Sequence, residues 1–262
     1  MMQALDEWRV ERIRGLLFDL DDTLTTHGKL TSAAYAAMER LKASGRLVVP
    51  ITGRPAGWCD QIARLWPVDA VVGENGAFYF WHDATAAALR KRYHEPDDAR
   101  AQKRARLGAI AERILREVPG CALASDQSYR ETDLAIDYCE DVRALPLAAA
   151  ERIAALMREA GLNAKVSSIH VNGWFGGYDK LSMAQQLFSE RFGIDLSARQ
   201  HEFAFVGDSP NDEPMFAFFA NSVGVANVRR FAATLTAAPR YITRAESGAG
   251  FVELVEHLLG AG

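Results

Sequence analysis

Asp19, Asp21 and Asp22 put three carboxylates within four residues, directly after the largely apolar run Ile13-Arg14-Gly15-Leu16-Leu17 and Phe18. Such a run predicts a buried strand of a parallel sheet. Carboxylates crowded at its end repel one another and lose hydration, so they need a cation, a proton or solvent. If extended geometry persists past Phe18, Asp19 and Asp21 project to one side and Leu20 to the other. Two such groups can hold a metal, attack an electrophile or move protons. A plain solvated turn is the competing reading, since Asp and Thr favour turns, and Asp22 is assigned to it.

Three further polar clusters follow apolar runs or open a helix. Leu47-Val48-Val49-Pro50-Ile51 delivers Thr52-Gly53-Arg54-Pro55, and Phe203-Ala204-Phe205-Val206 delivers Gly207-Asp208-Ser209-Pro210-Asn211-Asp212. Lys180 follows Asp179, a natural helix cap. If these strands are neighbours, the clusters converge on the rim where open α/β sheets place their ligands. Four carboxylates and a lysine are costly to assemble there without a bound dication and a dianionic ligand. Magnesium fits, because it takes one or two carboxylates and keeps waters or phosphate oxygens. Lys180 and the Thr52 hydroxyl could then hold phosphate oxygens.

Elements must be found to position these groups. Thr31 or Ser32 caps a helix that stops at Gly45. Pro55 opens another that runs to Pro67, and Ala70-Val71-Val72 is a third strand entering Glu74-Asn75-Gly76. This alternation predicts an α/β fold with a doubly wound parallel sheet of Rossmann-like form. The rhythm changes near Ala77, and the segment through Pro96 reads as irregular. A charged helix then spans about Asp97 to Val118, followed by strands near 121–125 and 134–138, a helix near 147–160, and strands at 164–167 and 169–172. Helix-strand-strand twice over predicts a separate small α+β unit at residues 82–174, inserted into a core made of 1–81 and 175–262.

Composition narrows the function classes. Of 262 residues, 49% are hydrophobic and 24% charged, as in ordinary globular proteins. A net charge of -4 and a pI near 5.9 argue against a nucleic-acid partner. The basic runs Arg90-Lys91-Arg92 and Lys103-Arg104-Ala105-Arg106 read as solvated helix faces or runs balanced by acids. No window approaches a membrane span, and Met1 to Arg14 lacks the apolar block of a signal peptide. Cys59, Cys121 and Cys139 are odd in number and widely spaced, which predicts reduced thiols in a cytoplasmic protein.

The four clusters, in this order and spacing, resemble the haloacid dehalogenase superfamily of phosphohydrolases. Asp19-x-Asp21-x-Thr23-Leu24 is similar to its first motif, Thr52 to its second, Lys180 to its third and Gly207-Asp208-x-x-Asn211-Asp212 to its fourth. The insertion between the second and third resembles the family's subclass IIB cap, as does the run Glu74-Asn75-Gly76 leading into it. The resemblance implies that Asp19 is the nucleophile, forming an aspartyl-phosphate, and that Asp21 is the general acid and base. It implies magnesium at Asp19, the Asp21 carbonyl and Asp208, with Asp212 and Asn211 anchoring its waters. Thr52, Gly53 and Lys180 would bind phosphate.

In this family the cap's polar face selects the substrate. His170, Asn172 and Trp174 alternate with Ile169 and Val171 and so share a face; with Arg130, Arg54 and Asn75 they are the substrate-contacting candidates. Aromatic and hydrogen-bonding groups suit a sugar, so the expected substrate is a small phosphomonoester, a sugar phosphate. A phosphomutase of the same fold and a signalling or binding protein that holds a phospho-Asp are the competing readings.

Overall fold

The computed structural model describes residues 2–10 and 12–260. The strands run β1 (Gln3–Ala4), β2 (Gly15–Phe18), β3 (Leu47–Pro50), β4 (Val71–Gly73), β5 (Phe78–Asp83), β6 (Ala88–Tyr93), β7 (Ala122–Leu123), β8 (Asp133–Asp137), β9 (Asn163–Val166), β10 (His170–Trp174), β11 (Phe203–Gly207), β12 (Ser222–Gly224) and β13 (Tyr241–Ile242). The helices are α1 (Ser32–Ala43), α2 (Ala56–Leu65), α3 (Asp97–Glu117), α4 (Leu147–Glu159), α5 (Lys180–Leu187), α6 (Leu196–Arg199), α7 (Glu213–Phe218) and α8 (Ser247–Gly260).

The apolar runs form three adjacent strands of a six-stranded parallel sheet, ordered β1-β13-β12-β11-β2-β3. Leu17 of β2 sits between Val49 and Phe205, which makes the strands carrying the first, second and fourth clusters immediate neighbours. Side chains alternate across β2. Leu16 and Phe18 enter a core with residues of α1, α2 and α8, while Leu17 enters another with α5 and α7. Helices therefore cover both faces, as a sheet buried on both sides requires. An isolated parallel bridge from Ile51 to Val72 carries the layer on to β4, which pairs antiparallel with β5.

The segment read as irregular contains a strand. β6 pairs with β5 along its whole length, and Leu89 and Tyr93 pack on the core. Arg90, Lys91 and Arg92 disguised it, because its outer edge stays in water. Between β12 and β13 the chain forms a short 3-10 run, Ala226–Phe231.

The segment between β6 and α5, expected above to form a cap, has a four-stranded antiparallel sheet, β7-β8-β10-β9. Leu134, Ile136 and Val171 pack on one face against α3 and α4. Alternation sends Asp133, Asp137, His170 and Asn172 to the opposite face, where all four are buried.

Candidate active site

Two glycines allow the clusters to meet. Gly76 has φ +109°, and a side chain there would stand 2.0 Å from the Asp179 carbonyl, so its absence lets the start of α5 press on the loop after β4. At Gly207 a Cβ would lie 2.3 Å from Asp212 Oδ2. That closeness lets Asp212 fold back and accept from the backbone N–H groups of Asp208 (3.0 Å) and Ser209 (3.3 Å).

Asp19 continues the extended path of β2, its N–H donating to Val206 O at 2.9 Å. Lys180 donates to Asp19 Oδ1 at 2.6 Å and to Asp212 Oδ1 at 2.7 Å. Asp208 accepts from Thr23 Oγ1 (3.4 Å) and from Asn227 Nδ2 (3.1 Å), and Ser209 Oγ donates to Asn211 Oδ1 (2.8 Å). Asp19, Asp208 and Asp212 each offer an oxygen, all within 4.8 Å of one another. Burial pushes Asp19 up to about 8, with Asp212 and Asp21 repelling and Lys180 opposing. Burial likewise holds Asp208 well above the carboxylate range, reinforced by Asp19 and Asp212. Burial would strip Lys180 of its proton, but these two carboxylates overcome it and raise its pKa. Three buried carboxylates around one ammonium leave uncompensated negative charge, and an all-oxygen donor set of this kind suits a hard dication such as magnesium.

Asp21 lines the same enclosed space as Asp19, as their spacing predicts. Both its oxygens accept from Arg54, from Nε at 3.1 and 3.0 Å and from Nη2 at 2.9 Å. Arg54 then reaches across to the cap, to Glu140 at 2.6 Å and Asp126 at 3.3 Å, and lies over the Trp58 ring at 4.4 Å. Burial works against its charge, but Asp21 and Glu140 keep the guanidinium protonated. Burial also opposes charge on Glu140, yet the neighbouring His170 and the Arg54 guanidinium bring its carboxyl down to about 2. Thr52 is wholly buried, and its Oγ1 accepts from the Arg54 N–H at 3.0 Å.

Arg130 carries the second tie between cap and core. It donates to Gly53 O at 2.9 Å while pairing with Asp126 (3.1 Å) and Asp133 (3.0 Å). Asn172 completes the network by donating to Asp133 at 3.0 Å. His170 Nε2 lies 2.9 Å from Glu140 Oε2. The space enclosed by these groups has a volume of about 10 Å³, enough for about one water. A second opening of about 320 Å³ continues from it along the seam, bounded by Asp22, His27 and Glu140.

Two candidates stand elsewhere. Trp174 shares the strand face of His170 and Asn172, but it lies in the core, its indole donating to Tyr178 O at 3.0 Å. Alternation fixes the face of a side chain and says nothing of its depth. Asn75 does not line the enclosed space; it adopts φ 55° and packs its amide against Gly53, where a Cβ would meet it at 3.2 Å. It shapes the loop that carries Thr52.

Several site residues escaped the sequence reading. Asp126 and Glu140 hold Arg54 from the cap, and Asn227 joins Asp208 to the Asp22 carbonyl (2.9 Å). Asn227 was detectable in principle, since it follows a strand on the same rim. Glu74 is the fourth. It accepts from the N–H groups of Ala56 (3.0 Å), Glu131 (2.9 Å) and Thr132 (2.6 Å), the last two in the cap.

Burial, then repulsion by Asp133, pushes Glu74 up from 4.5 to about 7. A carboxyl whose pKa is raised on folding contributes stability below its unfolded value, and that contribution is lost as pH rises through about 7. Glu74→Gln cannot ionise and faces at least one N–H with an N–H. It should unfold about 1–3 kcal/mol more easily near pH 5. Its deficit should shrink towards pH 8, as read from paired thermal melts. A deficit independent of pH would contradict this.

Residues 16–104 match the model of the haloacid dehalogenase-like hydrolases. The chain is 24% identical over 254 residues to a phosphoglycolate phosphatase of Methanothrix thermoacetophila, covering 95% of this chain and 99% of that protein. Its fold is similar to that of a Thermoplasma acidophilum protein, with a TM-score of 0.71, 17% identity and coverage of 95% and 99% of the two chains. It is also similar to the sucrose-phosphatase of Synechocystis, solved with sucrose and phosphate, with a TM-score of 0.62, 18% identity and coverage of 94% and 98%. Over residues 16–104 the chain is thus similar to the haloacid dehalogenase-like hydrolases, and over nearly its whole length it shares the fold of these solved structures. The matched hydrolase model and the phosphatase relative together mark an enzyme of the phosphatase type.

Proposed function

We propose that the protein is a magnesium-dependent phosphatase that hydrolyses a small phosphomonoester, a sugar phosphate, through a phosphorylated Asp19. The observation that carries this reading is the cluster itself: three carboxylates with oxygens within 4.8 Å, and Lys180 shared between Asp19 and Asp212. Asp19, Asp208 and the Asp21 carbonyl would hold magnesium, with Asp212 and Asn211 holding its waters. The ion would neutralise charge gathering on the phosphoryl oxygens.

Asp19 attacks phosphorus in line, and the leaving alkoxide takes a proton from Asp21. Asp21 then removes a proton from the water that cleaves the acyl phosphate, returning Asp19 as a carboxylate. Lys180 keeps its charge throughout and exchanges a carboxylate contact for a phosphate oxygen. Thr52 and the backbone at Gly53 supply further donors. The cap, from α3 to β10, presents Arg130, His170 and Asn172 to the rest of the substrate and shuts out water. The three free cysteines accord with work in a reducing cytoplasm.

A compact carboxylated substrate such as 2-phosphoglycolate is a second reading. The narrow enclosed space and the guanidinium of Arg54 favour it, and the Methanothrix relative bears that name. A magnesium-dependent panel of phosphorylated sugars, nucleotides, vitamin precursors and 2-phosphoglycolate separates the two. Repeating it with His170→Ala should change the ranking of substrates, with kcat/KM for the best one falling about tenfold. An unaltered ranking would remove His170 from substrate selection.

A further inference from the structure

On the edge of the sheet opposite the catalytic cluster lies a cleft of about 1160 Å³. Arg14, Arg46, Glu202, Asn221 and Arg240 line it, each standing just before one of the strands β2, β3, β11, β12 and β13. Arg9, Arg12 and Arg199 complete the wall, so six guanidiniums face one carboxylate among the described residues, that of Glu202. Trp8 and Tyr241 stack at 5.3 Å as a buried floor.

An ordinary structural role accounts for part of this. Arg46 donates to the carbonyls of Ile13 (3.0 Å) and of Leu258, near the end of α8 (3.2 Å). Arg14 and Arg199 both pair with Glu202, at 3.2 and 2.6 Å. Arg9, Arg12 and Arg240 have no carboxylate partner among the described residues, and the Arg240 guanidinium lies 5.3 Å above the Tyr241 ring. In a chain of net charge -4 this is a concentrated local excess of positive charge in a concave site.

We propose that this cleft binds a small anion carrying two or more phosphoryl groups, at a site separate from the catalytic cluster. Guanidinium forks match phosphate oxygens two at a time. Cations from four separate segments need an anion with several such groups. A nucleic acid fits less well, because the large rings of the cleft, Trp8 and Tyr241, are buried and closed to a stacking base. The occupant also ties the Arg9–Arg14 segment to the sheet edge, so it stabilises the folded chain.

Tripolyphosphate is the probe, titrated calorimetrically into the full-length protein in magnesium-free buffer at fixed ionic strength. Inorganic phosphate and a single-stranded oligonucleotide serve as comparisons. Wild type should bind one equivalent, at least about tenfold more tightly than inorganic phosphate. The Arg9→Ala/Arg12→Ala/Arg240→Ala variant should lose at least about tenfold in affinity for tripolyphosphate, with turnover of an aryl phosphate unchanged. Arg240→Glu alone, a single exposed change, should lower affinity in the same direction. Equal affinity of wild type and both variants would put the probe at the catalytic cluster and overturn the proposal. So would no binding at millimolar probe, or binding of the oligonucleotide alone.

Discussion

Asp19→Asn should lower the turnover of an aryl phosphate by more than about 10⁴-fold with the fold intact. The amide has nearly the shape of the carboxylate but no lone pair nucleophilic enough to attack phosphorus. Stability should not fall with activity. The Asp19 carboxylate is buried and pushed up to about 8, so keeping it charged opposes folding, and Lys180 retains Asp212 when Asp19 is neutralised. In metal-free buffer the variant's melting temperature should therefore equal or exceed that of wild type. Phosphate release and thermal denaturation test the two halves separately. A variant that keeps more than a trace of magnesium-dependent activity would sink the nucleophile assignment. Lost activity accompanied by a collapsed melting temperature would show only that Asp19 holds the fold.

The core was legible because its signals are local. Four apolar residues before Asp19 can only be a buried strand, and period-two geometry then places Asp19 and Asp21 together. The same applies to β3 and β11, so neighbouring strand ends could be inferred without coordinates. The cap contacts could not. Arg54 meets Asp126 and Glu140 across sequence separations of 72 and 86 residues, and nothing around those acids distinguishes them from solvated loop residues. The β6 strand failed for a different reason, since an edge strand with a wet face can carry three consecutive cations. Trp174 shows the limit of alternation: it obeys the period and is still part of the core beneath Tyr178.

Arg54→Ala should be the most damaging change outside the acidic cluster, because one guanidinium serves both sides of the seam. Its side chain is 5% exposed, and its partners Asp21, Asp126 and Glu140 are 18%, 6% and 24% exposed. Removing it leaves Asp21 without its cation and takes one partner each from Asp126, which keeps Arg130, and Glu140, which keeps His170 nearby. Fully buried, such a loss would cost about 3–5 kcal/mol; the partial exposure of Asp21 and Glu140 reduces this to about 2–3 kcal/mol. The cap should be held less firmly, since Arg130 and Glu74 then carry the main polar ties across the seam, and small-angle scattering should report a larger radius of gyration. In the proposed reaction Asp21 can shuttle protons only when one of its oxygens leaves Arg54, so the guanidinium sets both the orientation of Asp21 and the moment of its release. Loss of that control should lower kcat/KM by at least about 100-fold. Arg54→Lys should not restore it, because a point charge cannot fork onto Asp21 while reaching Glu140. The single variant Glu140→Gln separates the two roles. If Arg54 acts only by closing the cap, Glu140→Gln alone should reproduce most of the defect. If it also positions Asp21, Arg54→Ala should remain far worse than Glu140→Gln in kcat at saturating substrate. Wild-type kinetics in Arg54→Ala would refute both.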